Sequence, residues 1–385
     1  MRKLIPPRNI FLSILHAPSS GIRIPRRFQS TSPPIVTTKA LPGLPSAHLF
    51  RDVPSLRQFR NSLAHSTADA PKRTVGLVPT MGALHAGHLS LIRLAAANVS
   101  DVFVSIYVNP TQFGVTEDLS SYPRTWDSDI AQLASLDAEL AASKALGRIT
   151  AIFAPTTQVM YPTLPPTSEI DGHGSFVTVT PLATKLEGKS RPVFFRGVAT
   201  VCMKLFNIVQ PDSVYFGQKD VQQTVVLRRM IQDFHLPIAF RIGPTMRESD
   251  GLAMSSRNVY LGKRRRTAAL ALSEALELGE MFFANGLQSR EDIQLSAMTY
   301  LEEKRKAQEA LAPGKRALFK IDYISLADPD SLEEIDEVDP ARGAVLSGAI
   351  IMQPLEEQSQ NEELGMGGDT GPVRLIDNII LPAQK

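Results

Sequence analysis

The sequence predicts an α/β fold: a parallel sheet covered by helices over residues 44–243, then a smaller C-terminal α+β domain over 244–385. Three observations predict it. From about residue 44 to 243, short apolar runs alternate with helical patterns, the βαβ signature of a parallel sheet. The run at 75–78 is continuously apolar and partly β-branched, as a strand buried on both faces is. Beyond residue 262 the order changes to two long helical patterns followed by three strands, which suits a separate α+β unit.

Residues 1–51 contain no Asp or Glu and carry Arg2, Lys3, Arg8, Arg23, Arg26, Arg27, Lys39 and Arg51. A basic, Ser-rich, acid-free leader has the composition of a mitochondrial transit peptide, here expected over 1–40. The alternative is a disordered basic tail on a cytoplasmic protein. Residues 56–66 read as a helix before the strand at 75–78. A helix follows from Ala86, with Leu89, Ile92 and Ala96 at helical spacing. A strand is expected at 102–108, a helix at 127–140, a strand at 151–154 stopped by Pro155, and a short extended piece at 176–179. Residues 197–209 place Val198, Val201, Leu205 and Ile208 on one stripe, a helix buried on one side. Strand 213–216, helix 221–230 and strand 238–242 complete the sheet. The C-terminal unit is expected as helices 263–285 and 289–310 with strands 319–326, 344–352 and 373–376. Residues 353–372 are polar and Gly-rich and read as a mobile loop. This loop and residues 142–149 have the look of insertions.

Composition narrows the functional classes. The formal net charge is only +2, and the basic excess lies at the N-terminus, which argues for no nucleic-acid partner. Cys202 is the single cysteine, so no intrachain disulfide forms. No uncharged apolar run reaches membrane-spanning length.

The chemistry gathers first at residues 75–88, Val-Gly-Leu-Val-Pro-Thr-Met-Gly-Ala-Leu-His-Ala-Gly-His. The pattern is strand, small-residue turn, helix. A helix start offers unpaired N–H groups and positive potential, which favours phosphate. His85 and His88, three apart, can face the same way, and imidazole can donate to a phosphoryl oxygen. Four further stretches follow strand ends, where ligands of open α/β sheets lie. Asn109 and Gln112 can hydrogen-bond a carboxylate or hydroxyl, although Asn-Pro is also an ordinary turn. The basic loop 185–197 suits a lid over an anion, or is a solvated surface. Lys219 suits phosphate and Asp220 suits Mg²⁺ shared with phosphate oxygens, or Asp220 simply opens a helix. Ser255, Ser256 and Arg257 can hold phosphates, or form an ordinary loop.

Together these segments resemble the pantothenate synthetase (pantoate–β-alanine ligase) family, within the nucleotidyltransferases marked by His-x-Gly-His. The motifs that carry the resemblance are Pro-Thr-Met-Gly-Ala-Leu-His-x-Gly-His, Val-Asn-Pro-Thr-Gln-Phe, Phe-Arg-Gly-Val, Phe-Gly-Gln-Lys-Asp-x-Gln-Gln and Asp-Gly-Leu-Ala-Met-Ser-Ser-Arg-Asn, in that order. A weaker echo lies at Arg374-Leu375-Ile376-Asp377-Asn378. The resemblance implies a Rossmann-like sheet domain with a smaller C-terminal lid domain. It implies an ATP-dependent ligase of pantothenate and coenzyme A biosynthesis. Pantoate and ATP would give pantoyl-adenylate and diphosphate, and the amine of β-alanine would then displace AMP. It also implies Mg²⁺ and a homodimer. By motif, Met81, Gly82, His85, Gly87 and His88 would bind ATP, with His88 the proton donor and His85 beside it. Asn109, Gln112 and Gln223 would hold the substrates. Gly217, Lys219 and Asp220 would meet the nucleotide, with Asp220 at the metal. Met246 would pack on the adenine side, and Met254, Ser255, Ser256 and Arg257 would close on the phosphates. His88, His85, Lys219 and Arg257 would be the catalytic set. Two departures stand out: Phe194 occupies a position usually His, and Gln218 one commonly acidic.

Overall fold

The computed structural model describes residues 40–383 except 42, 65–72, 115–118, 120–121, 164, 168, 170–171 and 370. The transit-peptide expectation therefore lies outside the described residues, apart from Ala40. Two sheets and their cores lie within one compact unit.

The chain begins with β1 (Ala40–Leu41), β2 (Leu44–Phe50), α1 (Val53–Ala64), β3 (Val75–Thr80), α2 (Ala86–Ala96) and β4 (Asp101–Ile106). It continues through α3 (Trp126–Ala142), β5 (Arg148–Phe153) and the short α4 (Thr157–Met160) and α5 (Glu187–Ser190). Then come α6 (Phe194–Val209), β6 (Ser213–Gly217), α7 (Val221–Asp233) and β7 (Ala239–Gly243). The sheet order is β1-β2-β5-β4-β3-β6-β7, with six parallel strands and β1 antiparallel at one edge. The chain winds outward from β3 through β4 to β5, then returns to β6 on the other side of β3. That reversal opens a crevice at the C-terminal end of β3.

The fold is held by apolar layers on both faces. Helices α1, α6 and α7 cover one face through Leu56, Phe195, Val198, Leu205 and Val226. Helices α2 and α3 cover the other through Leu91, Ile92, Ile130, Leu133 and Leu136. Burial of side chains of this size supplies about 1.5–3 kcal/mol each. The α6 stripe Val198, Val201, Leu205 and Ile208 is buried, as its spacing predicts.

The second sheet comprises β8 (Phe319–Ala327), β9 (Ala344–Met352) and β10 (Val373–Leu381), antiparallel in the order β10-β9-β8. It packs with α8 (Gly262–Ala269), α9 (Ala271–Ala284) and α10 (Arg290–Glu309) around Leu272, Leu276, Ile293, Leu301 and Leu346.

The structure corrects several sequence boundaries. Strand β2 is absent from the sequence reading because it buries Leu44, Ala47 and Phe50, every third residue, rather than alternate ones. The extended piece 176–179 joins no strand; Val177 N instead donates to Thr200 Oγ1 at 2.9 Å. The helix expected over 263–285 is two helices parted at Leu270, with neither Gly nor Pro at that residue. Residues 148 and 149, read as part of an insertion, open β5. Strand β10 runs five residues past its expected end, because the polar pair Asp377 and Asn378 is buried within it. Residues 353–372 contain no helix or strand among those described, but they are tied down. Leu355 N donates to Asp369 at 2.6 Å, and the buried Arg265 pairs with Asp369 at 2.8 Å.

Candidate active site

Strand β3 delivers the chain to the crevice, and a buried carboxylate shapes the turn that follows. Asp129, on the first turn of α3, accepts from Ala83 N at 3.1 Å and Leu84 N at 2.8 Å. Sequence reading gave Asp129 no role, since its partners lie more than forty residues away.

The two histidines then cap α2 reciprocally. His85 Nδ1 accepts from Gly87 N at 3.2 Å, and His88 Nδ1 accepts from His85 N at 3.4 Å. Their ring centroids are 4.1 Å apart. Gly87 is required by close approach: a Cβ there would lie 2.9 Å from His85 Cε1. With each Nδ1 taken up as an acceptor, each neutral ring keeps its proton on Nε2. Burial, then the charge of Lys219, lowers His85 to about 4. Burial, then His85 and Lys219, lowers His88 to about 3. Both rings are therefore neutral at pH 7. In that state each ring offers a hydrogen bond from Nε2–H.

The same shifts predict a stability slope. The unfolded chain, with histidine near 6.5, takes up protons before the folded one as pH falls. The histidine contribution is full above pH 6.5 and is lost progressively as pH falls toward 4. Urea midpoints measured between pH 7.5 and 4.5 should fall, and should fall less in His88→Asn. Equal slopes in the two proteins would contradict the assignment.

These rings line a cavity of about 220 Å³ together with Met81, Gly87, Gln112, Gly217, Lys219, Asp220, Gln223, Met246, Met254, Ser255, Ser256 and Arg257. Fourteen of the sixteen expected residues thus meet at one place. The two that do not line it are Gly82, in the turn, and Asn109. Asn109 is buried beneath: its Nδ2 donates to Gln112 Oε1 at 3.0 Å and its Oδ1 accepts from Tyr161 OH at 2.8 Å. That bond fixes the Gln112 amide at the cavity wall.

Lys219 and Asp220 sit between β6 and α7, their charged groups 3.5 Å apart. The carbonyls of Gln218 and Lys219 accept from Asn378 Nδ2 at 2.9 and 2.8 Å. The neighbouring Asp377 takes Arg247 at 2.6 Å, and Arg247 belongs to the hairpin that carries Met246 and Met254. The C-terminal motif therefore acts by fixing two loops of the site. Met254 N donates to Met246 O at 2.9 Å, Ser255 Oγ accepts from Arg257 N at 3.2 Å, and Ser256 Oγ lies 3.4 Å from Tyr122 OH. Among the described residues, the Arg257 guanidinium makes no ion pair, and Arg257 lines the cavity.

A larger cavity of about 770 Å³ shares Lys219, Asp220, Gln223 and Arg257 with the first and reaches the second sheet. Beside its wall, three basic residues of 185–197, read as a lid over an anion or a solvated surface, meet protein partners. Lys185 pairs with Glu333, and Arg191 donates to Gln112 O at 2.9 Å while stacking 3.8 Å over the Phe194 ring. Arg196 lies over Phe176 at 4.3 Å. Glu187 accepts from Arg374 and, at 2.8 Å, from Tyr323 OH. Phe194 lines both cavities as an aromatic platform for Arg191.

Among the described residues no group of three His, Cys, Asp or Glu side chains could cage a metal. Asp220 alone fits a Mg²⁺ held mainly by phosphate oxygens and water. Among the same residues no helix is long and apolar enough to cross a membrane.

The model of the family described as pantoate-beta-alanine ligase matches residues 48–380. A pantothenate synthetase of Roseiflexus castenholzii is 42% identical over 333 residues, 86% of this chain and 100% of its own. One from Chloroflexus aurantiacus is 44% identical over 310 residues, 80% and 92% of the two chains. The crystal structure of pantothenate synthetase from Thermus thermophilus superposes with a TM-score of 0.63 at 34% identity, covering 86% of this chain and 98% of that one. The pantoate-beta-alanine ligase of Francisella tularensis, complexed with beta-gamma ATP and beta-alanine, gives 0.59 at 28% identity, covering 87% and 97%. A chain matched from residue 48 to residue 380 belongs to the pantoate–β-alanine ligase family.

Proposed function

We propose that this chain joins pantoate to β-alanine at the expense of ATP, through a pantoyl-adenylate. The observation that carries the reading is the convergence of two neutral imidazoles, Lys219 and Arg257 on one cavity that also holds Gln112 and Gln223. A free carboxylate is a poor electrophile. Its oxygen attacks the α-phosphorus of ATP, the bond to the bridging oxygen breaks, and diphosphate leaves. The amine of β-alanine then attacks the activated carbonyl carbon, loses a proton, and AMP leaves.

Negative charge grows on the α-phosphate oxygens in the first step and on the acyl oxygen in the second. His85 and His88 Nε2–H and the Lys219 ammonium are fixed donors for it, and fixed donors need no reorganisation as charge develops. Arg257 and Ser256 serve the departing diphosphate. Asp220 would hold Mg²⁺, which screens the phosphate charge when bound. Gln112, aimed by Asn109, and Gln223 bind pantoate through uncharged amides, which hold an acid without neutralising the nucleophile. Met246 and Met254 flank the nucleotide.

Replacing Gln223 by Ala should raise KM for pantoate about tenfold, the loss of roughly one hydrogen bond to a charged group, with KM for ATP within about twofold. Initial rates of AMP release with each substrate varied read both. An equal rise in both constants would remove Gln223 from the acid site.

We extend the proposal to a lobe boundary at residues 243/244, where β7 ends and the hairpin begins, and to a homodimer, which light scattering reads directly. The acid-free basic leader supports mitochondrial delivery by residues 1–40. Import of a reporter fused to those residues tests it, and a reporter left in the cytosol would refute it.

A further inference from the structure

The polar segment 353–372 lies against the turn that carries Ser255, Ser256 and Arg257, and its backbone is bonded to that turn. The turn is a 3₁₀ helix, Ser256–Tyr260, whose last carbonyls have no partner within it. Met366 N donates to Val259 O at 2.7 Å, and Arg265 donates to Tyr260 O. Arg265 also pairs with Asp369 at 2.8 Å and donates to Gly371 O at 3.0 Å, so one buried guanidinium ties the end of the turn to the segment. Lys263 N donates to Glu363 O at 3.2 Å, and Arg264 pairs with Glu362. The fit leaves no room for a side chain: a Cβ on Gly365, at φ +79°, would lie 2.7 Å from both Gly262 N and Val259 O. Met366, Gly367 and Asp369 line the larger cavity beside Ser256 and Arg257.

On its other side the hairpin holds the turn through Asn258, whose Nδ2 donates to Glu248 Oε1 at 2.8 Å and to Ala253 O at 3.0 Å, and Tyr122 OH lies 3.4 Å from Ser256 Oγ. The segment braces the end of the turn, at Val259 and Tyr260. We propose that residues 357–369 are a positioning element of the nucleotide site, holding Arg257 and Ser256 against the triphosphate and so setting affinity for ATP rather than for pantoate. This rests on the reading of residues 255–257 as the phosphate-facing turn. The segment is thus part of the site, not a solvated appendage.

The test is Gly365→Ala in the full chain, which forces the two backbones apart without removing a polar group. In pantoate-dependent exchange of labelled diphosphate into ATP, KM for ATP should rise about tenfold while KM for pantoate stays within about twofold. Amide hydrogen exchange of residues 256–261 should quicken while that of α2 does not. Unchanged KM for ATP, or an equal rise in both constants, would overturn the proposal. Should that variant fail to fold, Glu362→Arg alone should weaken ATP and its combination with Arg264→Glu should restore it; no restoration counts against the proposal. Arg257→Ala separates the two levels of inference. If it leaves KM for ATP unmoved, the phosphate reading fails. If it raises KM while Gly365→Ala does not, only the positioning role fails.

Discussion

Replacing His88 with alanine is expected to slow pantoate-dependent diphosphate exchange about 100- to 1,000-fold, the loss seen when one fixed donor to developing oxyanion charge is removed. The ring is half-buried in the cavity wall, held neutral, and locked with Nδ1 on the backbone of His85, so its Nε2–H is a fixed donor that a mobile water does not match. KM for ATP should move less than kcat, because the donor matters most where charge is growing. The protonation state makes a second, sharper expectation. A neutral donor with its pKa depressed to about 3 leaves no histidine limb in the rate between pH 6 and 8. A charged donor would give a rate that falls as pH rises through 6.5. Thermal melting of His88→Ala shows whether any loss is structural. Activity within about tenfold of the parent would remove His88 from the catalytic set.

Arg374→Ala should cost about 3–5 kcal/mol of stability. Arg374 donates through both terminal nitrogens to Glu187 and through Nε to Asp322 at 3.0 Å. Glu187 is buried, and its other side-chain partner is the Tyr323 hydroxyl. Deleting the guanidinium leaves a carboxylate desolvated without a counter-charge, which costs far more than the pair itself contributes. Combining Arg374→Met with Glu187→Gln removes both charges and should recover most of the loss. Urea unfolding of the two variants reads the difference. A cost below about 1 kcal/mol for Arg374→Ala would class the pair with exposed ion pairs, which contribute little. Because Glu187 belongs to α5 in the first lobe and Arg374 to β10 in the second, the loss should also loosen the wall of the larger cavity.

What was legible in the sequence was local. The strand, turn and helix at 75–96 could be read because parallel strands buried on both faces are continuously apolar, and because the helix stripe begins where the strand stops. The site residues could be named because each motif follows a strand end, and the topology carries those ends to one crevice. What was not legible depended on distant partners. Asp129 braces the turn from α3, 45 residues beyond Leu84. Asn378 could be quoted as part of a motif, yet its function, holding the carbonyls of Gln218 and Lys219, requires the second sheet to dock there. The basic residues of 185–197 read as a lid because the partners of Lys185, Arg191 and Arg196, namely Glu333, the Gln112 carbonyl and the Phe176 ring, lie elsewhere in the chain. The charge state of the histidines could not be read either, since burial is what chiefly sets it.

Diphosphate exchange is the most direct measurement: protein lacking residues 1–39, ATP, labelled diphosphate and Mg²⁺, with and without pantoate. Exchange into ATP that requires pantoate, needs no β-alanine, and disappears in His88→Ala is the expected result, with β-alanine then releasing AMP. ATP binding by the folded protein without pantoate-dependent exchange would contradict adenylation of pantoate at this site.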